Sequence, residues 1–150
     1  MATSYVVFLL DDQRYALRAS VVERVVGAVH VTPLSKAPDI VLGVVCMQGR
    51  VIPVVNVRRR FRLPERLIAL TDQLIVAHTR RRPVALVADR VTGVVECADD
   101  DLIPVESIVR SVEYFDGVMT LRDGLVLVHD LDTFLSLEES ASMDCSLEAT

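Results

Sequence analysis

The stretch GVVCMQGRVIPVVNVRRRF, residues 43 to 61, carries the pattern that decides the fold. Two apolar runs flank the dipeptide Gln48–Gly49, which predicts two strands joined by a tight turn. The second strand is apolar on both faces, so we expect it to be covered twice, by its own core and by a neighbouring barrel or a partner. Because Pro53 cannot donate to a sheet ladder, we expect it at an edge or a bulge, where another protein could dock.

The rest of the chain continues this pattern. Of its 150 residues 51% are hydrophobic, mean hydropathy is +0.40, and 27 are valine, a residue that packs well on pleated sheets. Apolar runs of four to eight residues alternate with turn signals, which predicts an all-β barrel or sandwich. A chain of this length can bury a sizeable core without disulfides. None of its apolar runs reaches the ~18 residues of a membrane span, so we expect no direct membrane insertion.

Net charge and cysteine usage indicate which partners and which cellular compartment to expect. A net charge of −5 argues against nucleic acid as a partner, because phosphate contacts need a positive surface. Two arginine clusters, residues 58–62 and 80–82, are interpreted as solvated loop ends, with docking to an acidic protein as the alternative. The three cysteines are scattered and the first residues lack a basic leader. We therefore expect a cytoplasmic protein with free thiols.

The sequence repeats itself. Residues 6–26 align without gaps on 75–95 at an offset of 69, and residues 43–61 align on 117–135 at an offset of 74. Two half-units, about 5–61 and 74–135, would thus build two similar small barrels. Each is too small to bury its surface well alone, so we expect them to pack around a common apolar core. We predict one domain over residues 1–139, a short helix over 131–140, and a loose tail over 140–150.

Catalysis has one candidate group. His129 with Asp130 and Asp132 is the only compact acid–base set in the sequence. Adjacent strand residues point to opposite faces, so His129 and Asp130 should not converge. Neither metal-ligand spacing nor a phosphate-binding loop occurs. We expect no enzyme activity, no cofactor and no metal, and keep a small β-barrel enzyme or ligand-binding protein using His129 as the rival hypothesis.

Three segments together resemble the CheW family of chemotaxis coupling proteins: TPLSKAPDIVLG with the stretch quoted above, then VALVADRVTGVV, then YFDGVMTLRDGLVLVHDLDTFL. The resemblance covers residues 5 to 137. It implies two five-stranded SH3-like barrels around a common core, with short helices. It also implies a non-catalytic adaptor that joins the cytoplasmic tip of a chemoreceptor to the regulatory domain of a CheA-type histidine kinase.

The resemblance also implies where partners bind, and this chain departs from the family pattern there. Gln48 stands where the family's turn has arginine, and Arg24 where members often have glutamate; Cys46 and Asn56 depart in the same region. The implied partner-binding residues are Val22, Arg24, Gly43, Gln48, Gly49, Arg50 and Arg58. A backbone role is the alternative for Gly43 and Gly49, and pairing with an internal carboxylate for Arg58. The departures leave open a divergent adaptor serving another kinase-controlled pathway.

Overall fold

A computed structural model of the chain describes residues 2–27, 31–33, 40–61, 63–104, 115–121 and 124–131. The strands within these residues are β1 Ala2–Leu10, β2 Gln13–Arg18, β3 Val22–Gly27, β4 Val41–Met47, β5 Arg50–Val55, β6 Gln73–His78, β7 Pro83–Ala88, β8 Arg90–Ala98, β9 Ile103–Pro104, β10 Phe115–Leu121 and β11 Gly124–His129. Two 3₁₀ turns, Ala19–Val21 and Asp99–Asp101, and one helical turn, α1 Val57–Arg60, complete them. The predicted C-terminal helix and tail lie outside the described residues.

The strands form two sheets. Sheet A has the order β8-β1-β2-β11-β10-β9, in which β9 is only two residues long, and sheet B has the order β3-β6-β7-β5-β4. The prediction of an all-β fold with two similar five-stranded units is confirmed, with β9 as a short addition to sheet A. Within the described residues, four of the nine neighbouring pairs are hairpins of consecutive strands with short connections, β1–β2, β4–β5, β6–β7 and β10–β11, and each sheet contains one parallel pair.

The internal repeat is visible in the strand register. Strands β10 and β11 begin and end at the positions of β4 and β5 plus 74. The pair β4–β5 has a bulge before Gly43, and the pair β10–β11 has one before Gly117. The parallel pair Val54–Ala85 of sheet B has its counterpart in Val128–Ala16 of sheet A.

The two half-units exchange strands. Sheet B combines β3, β4 and β5 of the first half-unit with β6 and β7 of the second, and sheet A combines β1 and β2 with β8 to β11. Each parallel pair joins one strand from each half-unit. Sheet B is therefore continuous in sequence, from β3 to β7, whereas sheet A is built from the two flanking segments. The repeat in the sequence describes how the strands are related, not which strands share a sheet.

Among the described residues, most of the buried hydrophobic side chains fall into three clusters. One fills sheet A, around Tyr5 and Met119, and one fills sheet B, around Ile52 and Leu74. The third cluster, which we call the shared core, takes residues from both sheets: Phe8, Leu10, Tyr15, Leu17, Ile40, Val55, Val57, Ile75, Ala77, Val84, Leu86, Ala88 and Leu131. Alternate residues of one strand thus face different cores, as the period of two requires. The predicted common apolar core is confirmed.

Strand β5 shows this double burial and corrects the expectation for Pro53. Ile52 and Val54 lie in the core of sheet B, and Val55 lies in the shared core. β5 is an interior strand between β7 and β4, so the edge alternative for Pro53 is wrong. The bulge alternative is met only nearby, by the register shift between Val41 and Gly43 that precedes Val44, the partner of Pro53. Val44 exchanges both backbone hydrogen bonds with Thr32, which leaves the Val44–Pro53 pair without one. The ladder to β7 begins only at Val54, so no donor is missed at Pro53.

Candidate docking surface

The turn between β4 and β5 is a two-residue connection with both residues in the left-handed region. Gln48 has φ of 51° and Gly49 has φ of 76°, and Met47 pairs with Arg50 across the turn. Positive φ at both positions is the geometry that suits the twist of a hairpin. Glycine adopts a positive φ at no steric cost, whereas glutamine adopts it only at a steric cost. Both residues are exposed, so the Gln48 side chain projects from a tightly specified backbone.

An ion pair connects this turn to the first strand of sheet B. Arg50 Nη2 donates to Glu23 Oε1 at 2.7 Å, and His78 Nε2 lies 3.3 Å from Glu23 Oε2. The Arg50 hydrogen bond holds the pKa of the Glu23 carboxyl below its ordinary value. Glu23 sits in a bulge of β3, where the register to β6 shifts between Val22 and Arg24. The contact therefore brings the turn at Gln48–Gly49 beside the bulge.

Val22 and Arg24 flank Glu23 on β3, an edge strand of sheet B. Val22 is half-buried and packs against the shared core, while Arg24 and Val25 are exposed. Five of the seven predicted partner-binding residues thus lie close together. We call this set the docking surface: Val22, Arg24, Gln48, Gly49 and Arg50.

Gly43 lies elsewhere and has a backbone role. It is buried, and a Cβ at this position would collide with the carbonyl oxygen of Thr32 and would come within 2.7 Å of Val31 Cγ1. Its repeat counterpart Gly117 meets the carbonyl oxygen of Ile103 in the same way. Glycine at both sites allows a neighbouring segment to approach the bulged strand closely. The structure thus gives a packing reason for glycine at this position in each sheet.

Arg58 is turned inward rather than toward a partner. It is 8% exposed, its Nη1 donates to Asp11 Oδ2 at 2.8 Å and to the Pro64 carbonyl at 3.0 Å, and its Nη2 donates to Asp89 Oδ1 at 2.6 Å. Asp11 belongs to the β1–β2 turn of sheet A, and Asp89 follows β7 of sheet B. Pairing with internal carboxylates, the alternative considered from the sequence, therefore describes the geometry of Arg58.

Arg66 extends this network. It donates to both carboxylate oxygens of the buried Asp72, at 2.6 and 2.8 Å, and to Asp89 Oδ1 at 2.6 Å. Burial would raise the pKa of Asp89, but hydrogen bonds from the Asp11 amide and the Arg58 guanidinium outweigh it and lower that pKa. The pKa of Asp72 is lowered against the same effect of burial by Arg66 and the Ala69 amide. These carboxylates stay charged inside the junction of the two sheets.

The sequence suggested an internal carboxylate for Arg58 without identifying it as Asp11 or Asp89, and gave Glu23, His78, Arg66 and Asp72 no role as contacts. A signal existed for one pair: Arg66 and Asp72 are opposite charges in the short connector between α1 and β6. The Glu23–Arg50 pair had no such signal, because it depends on a bulge and on a separation of 27 residues.

His129 lies in the interior. It is 2% exposed, and its ring meets Phe61 edge-on, with centroids 5.0 Å apart and an interplanar angle of 82°. Burial lowers the pKa of His129 to about 3, so the imidazole is neutral near pH 7. The hypothesis of an enzyme using His129 required a pocket with converging polar groups around an accessible ring. A packed, neutral imidazole removes the basis of that hypothesis.

The described residues also bear on membrane spans, metal sites and thiols. No helix there is long and apolar enough to cross a membrane. In the same part of the chain, His, Cys, Asp and Glu side chains form no group of three that could hold a metal ion. Cys46 and Cys97, the two cysteines among these residues, are free thiols.

Two interlocked five-stranded units around a shared apolar core define the class, a protein of two SH3-like barrel subdomains. The family model described as "CheW-like domain" matches residues 4–142. The chain belongs to the CheW-like domain family.

Individual relatives agree with this assignment. The chain is 27% identical over 136 residues to a chemotaxis protein CheW of Rhizobium meliloti (strain 1021), covering 89% of this chain and 88% of the relative. It is 25% identical over 142 residues to the chemotaxis protein CheW of Klebsiella aerogenes, covering 93% and 86%. The crystal structure of the scaffolding protein TtCheW from Thermoanaerobacter tengcongensis superposes with a TM-score of 0.84 at 21% identity, covering 93% of this chain and 96% of that chain.

Proposed function

We propose that this protein is a non-catalytic cytoplasmic adaptor that couples the cytoplasmic tip of a chemoreceptor to the regulatory domain of a CheA-type histidine kinase. Membership of the CheW-like family over residues 4–142 is the observation that carries the proposal. The adaptor acts by holding two partners at fixed relative positions, so it needs a rigid body and exposed contact surfaces rather than a reaction centre.

The geometry of the docking surface supports this role. Val22 offers an apolar anchor at a strand edge, and the Gln48–Gly49 turn lies beside it through the Arg50–Glu23 contact. A few residues that become buried on binding carry most of the affinity in protein interfaces, and charged groups at the rim tune specificity. The arginine network around Asp89 ties the two sheets together, so the surface is preformed before a partner arrives.

The test measures binding of two probes, the isolated kinase regulatory domain and a receptor-tip helical hairpin. We expect the unaltered protein to bind both, with only modest weakening by salt because the contacts are largely apolar. Val22→Asp should abolish hairpin binding without unfolding the protein. Val91→Asp is the matched control, because Val91 is the repeat counterpart of Val22 and is likewise partly buried against the shared core.

The possible outcomes separate the hypotheses. Unchanged hairpin binding by the Val22→Asp variant would remove this surface from the proposal. Failure of the unaltered protein to bind either probe would overturn the adaptor function itself.

A divergent adaptor serving another kinase-controlled pathway is the second candidate, supported by the neutral Gln48 side chain at the exposed turn. Glutamine lacks the charge and the five-donor fork of arginine. If receptor coupling has been retargeted, Gln48→Arg should gain affinity for the receptor tips of ordinary chemotaxis systems. An unchanged affinity would count against retargeting at this residue.

A further inference from the structure

The segment between α1 and β6, residues 63–72, which we call the connector, exposes two leucines almost completely. Leu67 is 91% and Leu70 is 96% exposed, whereas the next large hydrophobic residue among those described is Val94, at 64%. A leucine that stays in water gains nothing from the burial that stabilises a folded chain. Single exposed apolar residues are ordinary, so the case for a contact surface depends on how the connector holds these two and on what surrounds them.

Hydrogen bonds fix the backbone under both leucines. The Ala69 amide donates to Asp72 Oδ2 at 2.8 Å and the Asp72 amide donates to the Ala69 carbonyl at 3.0 Å, which closes a turn that contains Leu70. Arg66 Nη1 donates to the Leu67 carbonyl at 2.9 Å and to Asp72 Oδ2 at 2.8 Å. The two apolar side chains therefore project from a preformed backbone, and binding them requires little further ordering of the chain.

A charged residue of each sign lies beside the connector. Arg66 donates to Asp89 Oδ1 at 2.6 Å, and the Asp11 amide donates to Asp89 Oδ2 at 2.9 Å, so the residues that follow them in sequence, Arg90 and Asp12, flank this contact. The Asp12 and Arg90 side chains are exposed, and no hydrogen bond or ion pair joins either of them to another residue in the described part of the chain. The two leucines thus have an unpaired anion and an unpaired cation near them.

These opposite charges favour a second copy of the chain as the partner. An acidic partner would place a like charge against Asp12, and a basic partner would do the same to Arg90. In a twofold contact each residue of one copy meets the complementary residue of the other, so Asp12 and Arg90 pair twice while the leucines meet. A membrane surface is a poorer fit, because the arginine nearest the leucines, Arg66, is already held by Asp72 and Asp89.

We infer that the connector is a self-association site: Leu67 and Leu70 of two copies pack together, and Asp12 of each copy pairs with Arg90 of the other. Specific stable interfaces bury about 1,200–2,000 Å². Four leucine side chains with a charged rim supply only part of that area, so the dimer is weak, with a Kd of about 100 µM. It therefore forms where the chain is concentrated and dissociates on dilution.

The self-association site and the docking surface lie at opposite ends of the β3–β6 ladder. Gln73, which follows the connector, pairs with Gly27, whereas Val22 of the docking surface pairs with Ala77. A dimer formed through the connectors therefore leaves both docking surfaces open. The site goes beyond the proposed adaptor function, since it joins two adaptors that each keep their own partners.

Sedimentation equilibrium of the full-length protein between about 10 µM and 1 mM measures this association. The unaltered protein should pass from monomer to dimer over that range. The double variant Leu67→Glu, Leu70→Glu should dimerise about tenfold more weakly and stay folded by circular dichroism, because both side chains are in solvent in the monomer. The matched control changes the next two most exposed large hydrophobic residues among those described, Val94→Glu and Leu125→Glu, and should keep the dimer.

Charge reversal tests the pairing between copies. Asp12→Arg and Arg90→Asp each place like charges opposite one another in the dimer, so each variant alone should dimerise about tenfold more weakly. A mixture of the two variants should associate more tightly than either alone, because every contact then joins an anion on one copy to a cation on the other. High salt should reduce this gain.

An unaltered protein that stays monomeric up to about 1 mM overturns the inference. So does a dimer that survives both leucine substitutions, that the control variant also loses, or that gains nothing when the two charge variants are mixed. None of these results bears on binding of the kinase regulatory domain or of the receptor-tip hairpin, so the proposed function stands or fails by its own test.

Discussion

Arg58 differs from the arginine that follows it, although RRR reads as one basic cluster. Arg59 has a half-exposed side chain near Glu65, whereas the Arg58 side chain is 9% exposed and contacts two carboxylates and a carbonyl. Helical periodicity separates the two, because adjacent residues of α1 point in directions about 100° apart. Removing one charged partner of a buried guanidinium leaves an uncompensated charge. These contacts therefore stabilise the protein only while all the charged partners are present.

Arg58→Met keeps the length of the side chain and removes its donors. The Pro64 carbonyl and part of the Asp89 carboxylate then lose their partner, so the free energy of unfolding should fall by about 2–4 kcal/mol, below the full cost of a buried pair because Asp11 is partly solvated. Arg59→Met should change it by about 0.5 kcal/mol or less. Urea denaturation measures both. Equal losses in the two variants would contradict the structural role of Arg58.

His129 makes stability depend on pH. Its pKa is about 3 in the folded protein and 6.5 ordinarily, so between these values the unfolded chain binds a proton that the folded chain does not. Stability should therefore rise with pH across this window, by about 1.4 kcal/mol per pH unit for this one group. The carboxyls of Asp72 and Asp89, whose pKa values are lowered from 3.8, act at lower pH.

His129→Phe preserves a ring against Phe61 and cannot be protonated. Urea denaturation at several pH values between about 4.5 and 6 should show a flatter dependence than the unaltered protein, since the proton-linked penalty is absent. His78→Gln, at a half-exposed position, serves as the control and should keep the original dependence. A dependence that survives in the His129→Phe protein would show that His129 is accessible to protons in the folded state.

The strand elements show how far local patterns determine this fold. Hairpins such as β4–β5 follow from signals within twenty residues, an apolar run, a turn with glycine and a second run, and they were predictable. The pairing of β5 with β7 was not predictable from the sequence. The paired residues are about thirty positions apart, and any strand that is apolar on both faces would satisfy the same pattern. The edge position expected for Pro53 was wrong for that reason. The ladder of β5 with β7 begins only at Val54, so the missing donor of Pro53 leaves no hydrogen bond unmade, and the sequence does not show where that ladder begins.

The bulged strands provide the test at this scale. Gly43→Ala and Gly117→Ala each place a methyl group against a backbone carbonyl, of Thr32 and Ile103, and should lower the free energy of unfolding by about 2–3 kcal/mol. Gly27→Ala is the control, since a Cβ there meets nothing within 4 Å, and it should be neutral or slightly stabilising. Urea denaturation of the three proteins decides the matter. A mild effect at Gly43 with a large one at Gly117 would mean that the two sheets are less alike than their register indicates.

For the whole molecule the decisive property is the exchange of strands between half-units. Each sheet needs strands from both halves of the chain, and the shared core takes side chains from both sheets. The candidate site follows from the same arrangement: residues 22–24 and 48–50 meet only because the sheet curves until Glu23 reaches Arg50. Sequence resemblance suggested these residues, but local pattern alone gave no reason to place them together.

Such a molecule should unfold as one unit rather than sheet by sheet. The most protected amides of β2 in sheet A and of β6 in sheet B should therefore exchange hydrogen with the same free energy of opening, equal to that of global unfolding. Leu86→Ala removes a fully buried side chain of the shared core and should lower the opening free energy by about 3 kcal/mol in both sheets, although Leu86 belongs to β7 of sheet B alone. Native-state hydrogen exchange reports the two sheets separately in one experiment. If β6 lost its protection while β2 kept the value of the unaltered protein, the sheets would be independent folding units, and the shared core could not be what holds the docking surface in position.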